Sequence, residues 1–173
     1  MHRYHLPIPI VFAILTAAFL FFFFAEPTRA QDKLIILVRH AEKADDESND
    51  PGLSEAGKQR SERLARVVGR YRPGGFYSTN FIRTRETLAP FARKRQKEVK
   101  LYNPREPQKL IEEIMQSRTK RFIVAGHSNS IPGLANLLTK KELFKNLDDS
   151  EYTVIWLIRI KNGKVSEVRL LDY

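Results

Sequence analysis

The stretch Leu34-Ile35-Ile36-Leu37-Val38, followed at once by Arg39-His40-Ala41-Glu42-Lys43, constrains the chain most. Five apolar residues in succession, β-branched at three positions, suit a central parallel strand covered on both faces. The abrupt change to arginine, histidine and carboxylate predicts a functional loop, because open α/β sheets hold ligands at the carboxyl ends of their strands. A second run, Arg121-Phe122-Ile123-Val124-Ala125-Gly126, delivers His127-Ser128-Asn129-Ser130 in the same way, ahead of a predicted helix over residues 131–138. Of the four histidines, His2 and His5 lie in a leader, so the remaining domain has two, and both leave strands. Either alone reads as an ordinary loop or partly buried histidine. Their shared position makes the pair the candidate catalytic centre.

Residues 1–30 differ in kind from the rest. Arg3 precedes residues 10–25, which are apolar apart from Thr16 and include four consecutive phenylalanines, and Thr28 and Ala30 follow as small residues that place a cut before Gln31. This predicts an export signal or, uncleaved, an N-terminal membrane anchor, although sixteen residues fall short of a bilayer span of roughly 20. Either choice puts residues 31–173 outside the cytoplasm, in the periplasm or the extracellular space. Without Arg3, Arg29 and Glu26, the 30 basic and 20 acidic side chains become 28 and 19, a formal charge of +9 that favours anionic partners. The cluster Arg93-Lys94-Arg95-Gln96-Lys97 has no interleaved aromatics and lies where a helix should end, so it reads as a solvated helix terminus and nucleic acid is not an expected partner. There are no cysteines and hence no disulfides; roughly 140 residues suffice for one hydrophobic core without them.

Along the chain, an acidic loop after His40 reaches Asp50-Pro51-Gly52, and Ser54 caps a helix with Leu64, Val67 and Val68 at core spacing. Pro73-Gly74-Gly75 ends it. A short strand at residues 76–78 leads into a helix reaching about Arg93, with Arg83 in its first turn and Arg85 turned elsewhere. Residues 99–102 read as a less central strand, 107–116 as a helix, and 152–160 and 165–171 as a hairpin about Asn162-Gly163. Ser130 reads as a helix N-cap, and Trp156 as core or sheet surface. The expected fold is α/β: a three-layer sandwich with a mostly parallel central sheet, helices on both faces and an antiparallel hairpin near the C-terminus.

Two strand-end histidines with Arg39 and Arg83 point to a phosphoryl group. A neutral imidazole attacks phosphorus and divides one hard displacement into two easier ones. Guanidinium forks match phosphate oxygens and stay charged, and a helix start after His127 adds N–H donors. None of this requires a metal or cofactor. Arg39-His40-Ala41-Glu42 resembles the Arg-His-Gly motif of the histidine phosphatase superfamily, which also contains the phosphoglycerate mutases. Leu53-Ser54-Glu55-Ala56-Gly57, Ser78 through Thr87, and Gly126-His127-Ser128 resemble its further motifs in the right order. The resemblance implies His40 as phosphate acceptor, with Arg39, Arg83 and His127 holding the phosphoryl group; Asn129, two residues beyond His127, either touches substrate or shapes the turn. Glu106 is the first candidate proton donor and Glu42 the second. Ala41 replaces the usual glycine, and Ser128 stands where the acid-phosphatase branch has aspartate, which excludes that branch.

The expected activity is metal-independent phosphomonoester hydrolysis through a phosphohistidine on His40, acting on a small phosphorylated molecule or a phosphoprotein. The alternative is a catalytically silent phosphate-binding module at the cell envelope. A serine hydrolase is excluded because Gly126-His127-Ser128-Asn129-Ser130 lacks the last glycine of the nucleophile elbow and no histidine follows the serine. A mutase is disfavoured for an exported protein, which lacks the phosphorylated sugar-acid pool.

Overall fold

A computed structural model describes residues 32–173; the export signal or anchor expected over residues 1–30 lies outside the described residues. The described residues form one six-stranded sheet in the order β3-β2-β4-β1-β5-β6. Strands β1 (Lys33–Arg39), β2 (Gly75–Ser78), β3 (Val99–Leu101) and β4 (Arg121–Gly126) run parallel. Strands β5 (Val154–Lys161) and β6 (Lys164–Asp172) form the antiparallel hairpin, with β5 paired to β1. The hairpin turns at Asn162 and Gly163, whose φ values of 49° and 74° are those of a primed two-residue turn.

Strand β1 is buried along its whole length because its side chains alternate between two cores. Leu34, Ile36 and Val38 pack with α1 (Glu55–Gly69) and α2 (Ile82–Arg95) on one face. Ile35 and Leu37 pack with α3 (Pro107–Gln116) and α4 (Ser130–Thr139) on the other. The three-layer sandwich with helices on both faces is therefore present, and Trp156, 2% exposed, belongs to the second core.

Local contacts explain the element ends. Ser54 Oγ accepts from Gly57 N at 3.1 Å, and Ser54 N donates to Glu42 O at 3.0 Å, which fixes α1 against the loop leaving β1. A Cβ on Gly57 would lie 2.1 Å from Glu42 O, so only glycine allows this approach. Pro90 stands inside α2 and removes the N–H that Glu86 O would receive; Ser61 Oγ donates to that oxygen at 3.1 Å instead. Ser130 is not the N-cap expected of it. Asn129 holds the cap position without a side-chain bond, and Ser130 Oγ accepts from His127 N at 2.9 Å, because the chain bends sharply from β4 into α4 and leaves that N–H without a strand partner.

Candidate active site

Register brings the histidines together. Arg39 of β1 pairs with Gly126 of β4, and His40 N donates to Gly126 O at 2.9 Å, so His40 and His127 leave neighbouring parallel strands side by side. Their ring centroids are 5.4 Å apart, edge to face, close to the roughly 4.8 Å spacing of adjacent strands. Strand β2, on the far side of β4, delivers Thr79 to the same edge. Because β5 is antiparallel to β1, the loop before β5 also arrives here, bringing Tyr152 to 6.1 Å from the His40 ring.

His40 is 5% exposed, and its Nδ1 lies 2.8 Å from Ala41 O. A carbonyl only accepts, so Nδ1 carries the proton and Nε2 keeps its lone pair. Burial, with Arg83, His127 and Arg39 adding positive charge nearby, lowers the His40 pKa to about 4 against the Ala41 hydrogen bond. The ring is therefore neutral at pH 7. His127 is half-buried, and its Nε2 lies 3.0 Å from Thr79 Oγ1. Thr84 Oγ1 donates to Phe81 O at 2.8 Å, which leaves it to accept from Thr79 Oγ1 at 2.8 Å and leaves Thr79 Oγ1 to accept from His127 Nε2–H. Burial, then Arg83 and Arg39, lower the His127 pKa to about 4, with Asp50 opposing.

The arginines are each half-engaged. Arg39 Nη1 donates to Asp148 O at 2.7 Å and Glu151 O at 2.9 Å, and its guanidinium stacks over Tyr152 with Cζ 4.2 Å from the ring centroid. Arg83 lies over Phe81 at 4.5 Å, and its Nη1 meets Asp50 Oδ1 at 3.4 Å. Asp50 also accepts from Ile82 N at 3.1 and 3.2 Å, capping α2 from outside the helix. The Nε atoms of both arginines are buried with no partner among the described residues. Buried guanidinium N–H groups are costly to leave unpaired, so two of them beside two neutral imidazoles describe a receptor for an anion.

Asn129 is exposed and lines, with His127, Arg105, Gly133 and Glu142, a cavity of about 540 Å³. Glu106 stands between Arg105 and Pro107, which line that same cavity. Its carboxylate pairs with Lys109 and accepts from Asn103 Nδ2 at 3.0 Å, and these two partners lower its pKa. Glu42 is gripped by Arg60, whose Nη2 and Nε stand 2.6 to 2.9 Å from its oxygens; burial works against ionisation there, but Arg60 outweighs it and the pKa is lowered. Carboxylates held ionised in this way are poor acids at neutral pH. Sequence reasoning missed Thr79, Thr84, Asp50 and Tyr152. The first two sit inside the motif that carries Arg83, and Asp50 closes a loop that reads only as a turn.

An α/β sandwich whose parallel strand ends converge on two neutral histidines and two guanidiniums with unpaired donors is a site shaped to receive a phosphoryl group. Residues 35–104 match the model of the histidine phosphatase superfamily, branch 1, a stretch that holds His40 and Arg83 and ends before His127. No curated protein matches the chain by sequence. Among solved structures it is similar to a mycobacterial glucosyl-3-phosphoglycerate phosphatase, with a TM-score of 0.64 at 12% identity over 83% of this chain and 99% of that one. It is also similar to a protein assigned as the phosphohistidine phosphatase SixA of Agrobacterium tumefaciens, with a TM-score of 0.61 at 19% identity over 79% of this chain and 97% of that one. A protein assigned as an alpha-ribazole-5'-P phosphatase of Escherichia coli gives a TM-score of 0.67 at 11% identity over 82% and 96%. At such identities the likeness is one of fold.

Proposed function

We propose that the chain is a histidine phosphatase that hydrolyses phosphomonoesters through a phosphohistidine on His40 without a metal. The observation that carries this reading is the pair of buried, unpartnered Nε–H donors of Arg39 and Arg83 beside the two histidines. His40 Nε2 attacks phosphorus, an N–P bond forms, and the ester P–O bond breaks as its electron pair leaves with the alcohol oxygen. The guanidiniums face the charge that develops on the phosphoryl oxygens, in a site that needs no reorganisation to receive it. Water then attacks phosphorus, a new P–O bond forms as the N–P bond breaks, and its electron pair restores the Nε2 lone pair as phosphate leaves; the proton that water loses equals the one the alcohol gains. His127 donates Nε2–H to Thr79, so its Nδ1 holds a phosphoryl oxygen by taking up a proton, which the phosphate monoanion itself supplies on binding.

Size and fold liken the chain both to a phosphohistidine phosphatase and to a sugar-phosphate phosphatase, so the substrate is a small phosphate ester or a phosphoprotein. The deciding experiment incubates the protein with an aryl phosphate in excess chelator and traps labelled phospho-enzyme by quenching. Turnover that survives His40→Ala overturns the mechanism. Phosphate binding without turnover on any ester establishes the silent binding module instead. Export of the domain, read from residues 1–30, is part of the proposal, and recovery of the full chain in the cytosol on cell fractionation overturns that part.

A further inference from the structure

Crossover helices run antiparallel to the parallel strands they follow, so every helix here ends on the sheet edge opposite the active site, and cations gather at the negative ends of their dipoles. Helix α2 ends in Arg93, Lys94 and Arg95, with Lys97 beyond, and α1 runs on to Arg70 and Arg72. The turn from α3 into β4 carries Arg118, Lys120 and Arg121, and Lys140 follows α4. Contacts tie these ends into one face. Arg121 Nη1 donates to Tyr71 O at 3.3 Å, Leu34 N donates to Lys120 O at 2.8 Å, and Lys140 shares a groove with Lys164 of the hairpin. These cations are exposed, and none is in an ion pair among the described residues. The opposite edge carries acidic clusters around the active-site guanidiniums: Asp45, Asp46 and Glu47 follow β1, and Asp148, Asp149 and Glu151 precede β5.

We propose that the basic face lies against an anionic membrane surface and turns the active site away from it. Charge complementarity is one ground, since each Lys or Arg near an anionic bilayer adds to binding. The chain's own path is the other. Strand β1 begins on this face, and the apolar run 10–25 ends only six residues before Asp32, a reach of at most roughly 25 Å. Retained as the anchor, the apolar run would hold this face within reach of headgroups. β1 spans seven residues, which at about 3.3 Å each sets His40 roughly 25 Å from the bilayer, out of reach of phosphates in that same leaflet.

The chain has no cysteine, so one introduced cysteine carries a unique label. Full-length protein is labelled at Lys94→Cys or at Asp46→Cys and mixed with vesicles of phosphatidylcholine alone or with about a third phosphatidylglycerol, each containing a headgroup quencher. Expected is quenching at position 94 and little at 46, stronger on anionic vesicles and relieved by about 0.5 M salt, where the Debye length shrinks below 5 Å. Lys97→Glu with Arg118→Glu and Lys120→Glu should weaken anionic-vesicle binding about tenfold or more, while aryl phosphate hydrolysis without vesicles and the thermal midpoint stay unchanged. Equal quenching at the two positions, or no response to charge reversal, overturns the proposal and leaves the phosphatase reading intact. Preferential, variant-sensitive binding of single-stranded RNA overturns it too.

Discussion

His40 and His127 leave neighbouring parallel strands at the same level, yet they are held by different means. His40 is fixed by main chain: its Nδ1–H meets the carbonyl of the next residue, so no other side chain is needed to choose its tautomer. His127 is fixed by two hydroxyls, Thr79 from the end of β2 and Thr84 from α2, and sits half-open beside a cavity. In the proposed mechanism the attacking residue is the better insulated one, and the residue that holds and releases is the one with access. The largest expected effect follows. His40→Ala should lower kcat/KM by about 10⁴ or more and abolish trapped phospho-enzyme, because it removes the nitrogen that forms the N–P bond. His127→Ala should cost about 10² to 10³ while phospho-enzyme still forms. Equal losses in steady-state and quench kinetics would break the comparison.

The arginines repeat the contrast. Arg39 spends its Nη1 on the carbonyls of Asp148 and Glu151, whereas Arg83 has one long contact to Asp50. Arg83→Lys should therefore lose about 10² in kcat/KM on an aryl phosphate, with the fold unharmed, since lysine cannot supply the Nε–H and the fork together. Arg39→Lys should lose similar activity and also lower the melting temperature, because it releases the loop that carries Tyr152. A stable Arg39→Lys protein would show that the loop is anchored elsewhere.

Both histidines resist protonation in the folded state, with pKa values lowered to about 4, whereas in the unfolded chain they titrate near 6.5. Between those values the unfolded state binds more protons than the native one, so stability rises with pH across the window from about 4 to 6.5 and is lost as pH falls through it. For His40 the displacement corresponds to roughly 3 kcal/mol at most, and His127, being more open to solvent, contributes less. The urea midpoint should drop between pH 7 and pH 4.5, and His40→Asn should remove much of that drop. A midpoint independent of pH in this window would mean that the site is wetter than its geometry states.

Strands β1 and β4, the helices between them and the hairpin were legible because each is a local pattern: apolar runs, 3.6-residue periodicity and Asn162-Gly163. Pairing of the two histidines was legible for the same reason, as both follow buried strands. What escaped is what depends on register across elements. Thr79 reaches His127 only because β2 pairs with β4, and Tyr152 reaches Arg39 only because β5 returns antiparallel beside β1. Ser130 was misread because a serine ahead of an apolar helix suggests a forward cap, whereas the tight exit from β4 makes it accept from behind. The pairing of Glu106 with Lys109, one turn on, likewise emerges only in the folded chain.

The smallest effect tests the hydroxyl relay itself. Thr79→Val keeps the shape of the buried side chain but leaves His127 Nε2–H without an acceptor and Thr84 Oγ1 without its donor. An unpaired buried donor costs about 1 to 3 kcal/mol, and His127 can recover part of that by rotating or changing tautomer, so turnover should fall about five- to tenfold. Phospho-enzyme should still form at full amplitude, because the tautomer of His40 is set by Ala41 and not by the threonines. Thr79→Ser, which retains the hydroxyl, should restore most of the rate. A Thr79→Val protein that loses the phospho-enzyme burst along with turnover would mean that the two histidines are oriented as one unit, and that the independence of the main-chain and hydroxyl supports is wrong.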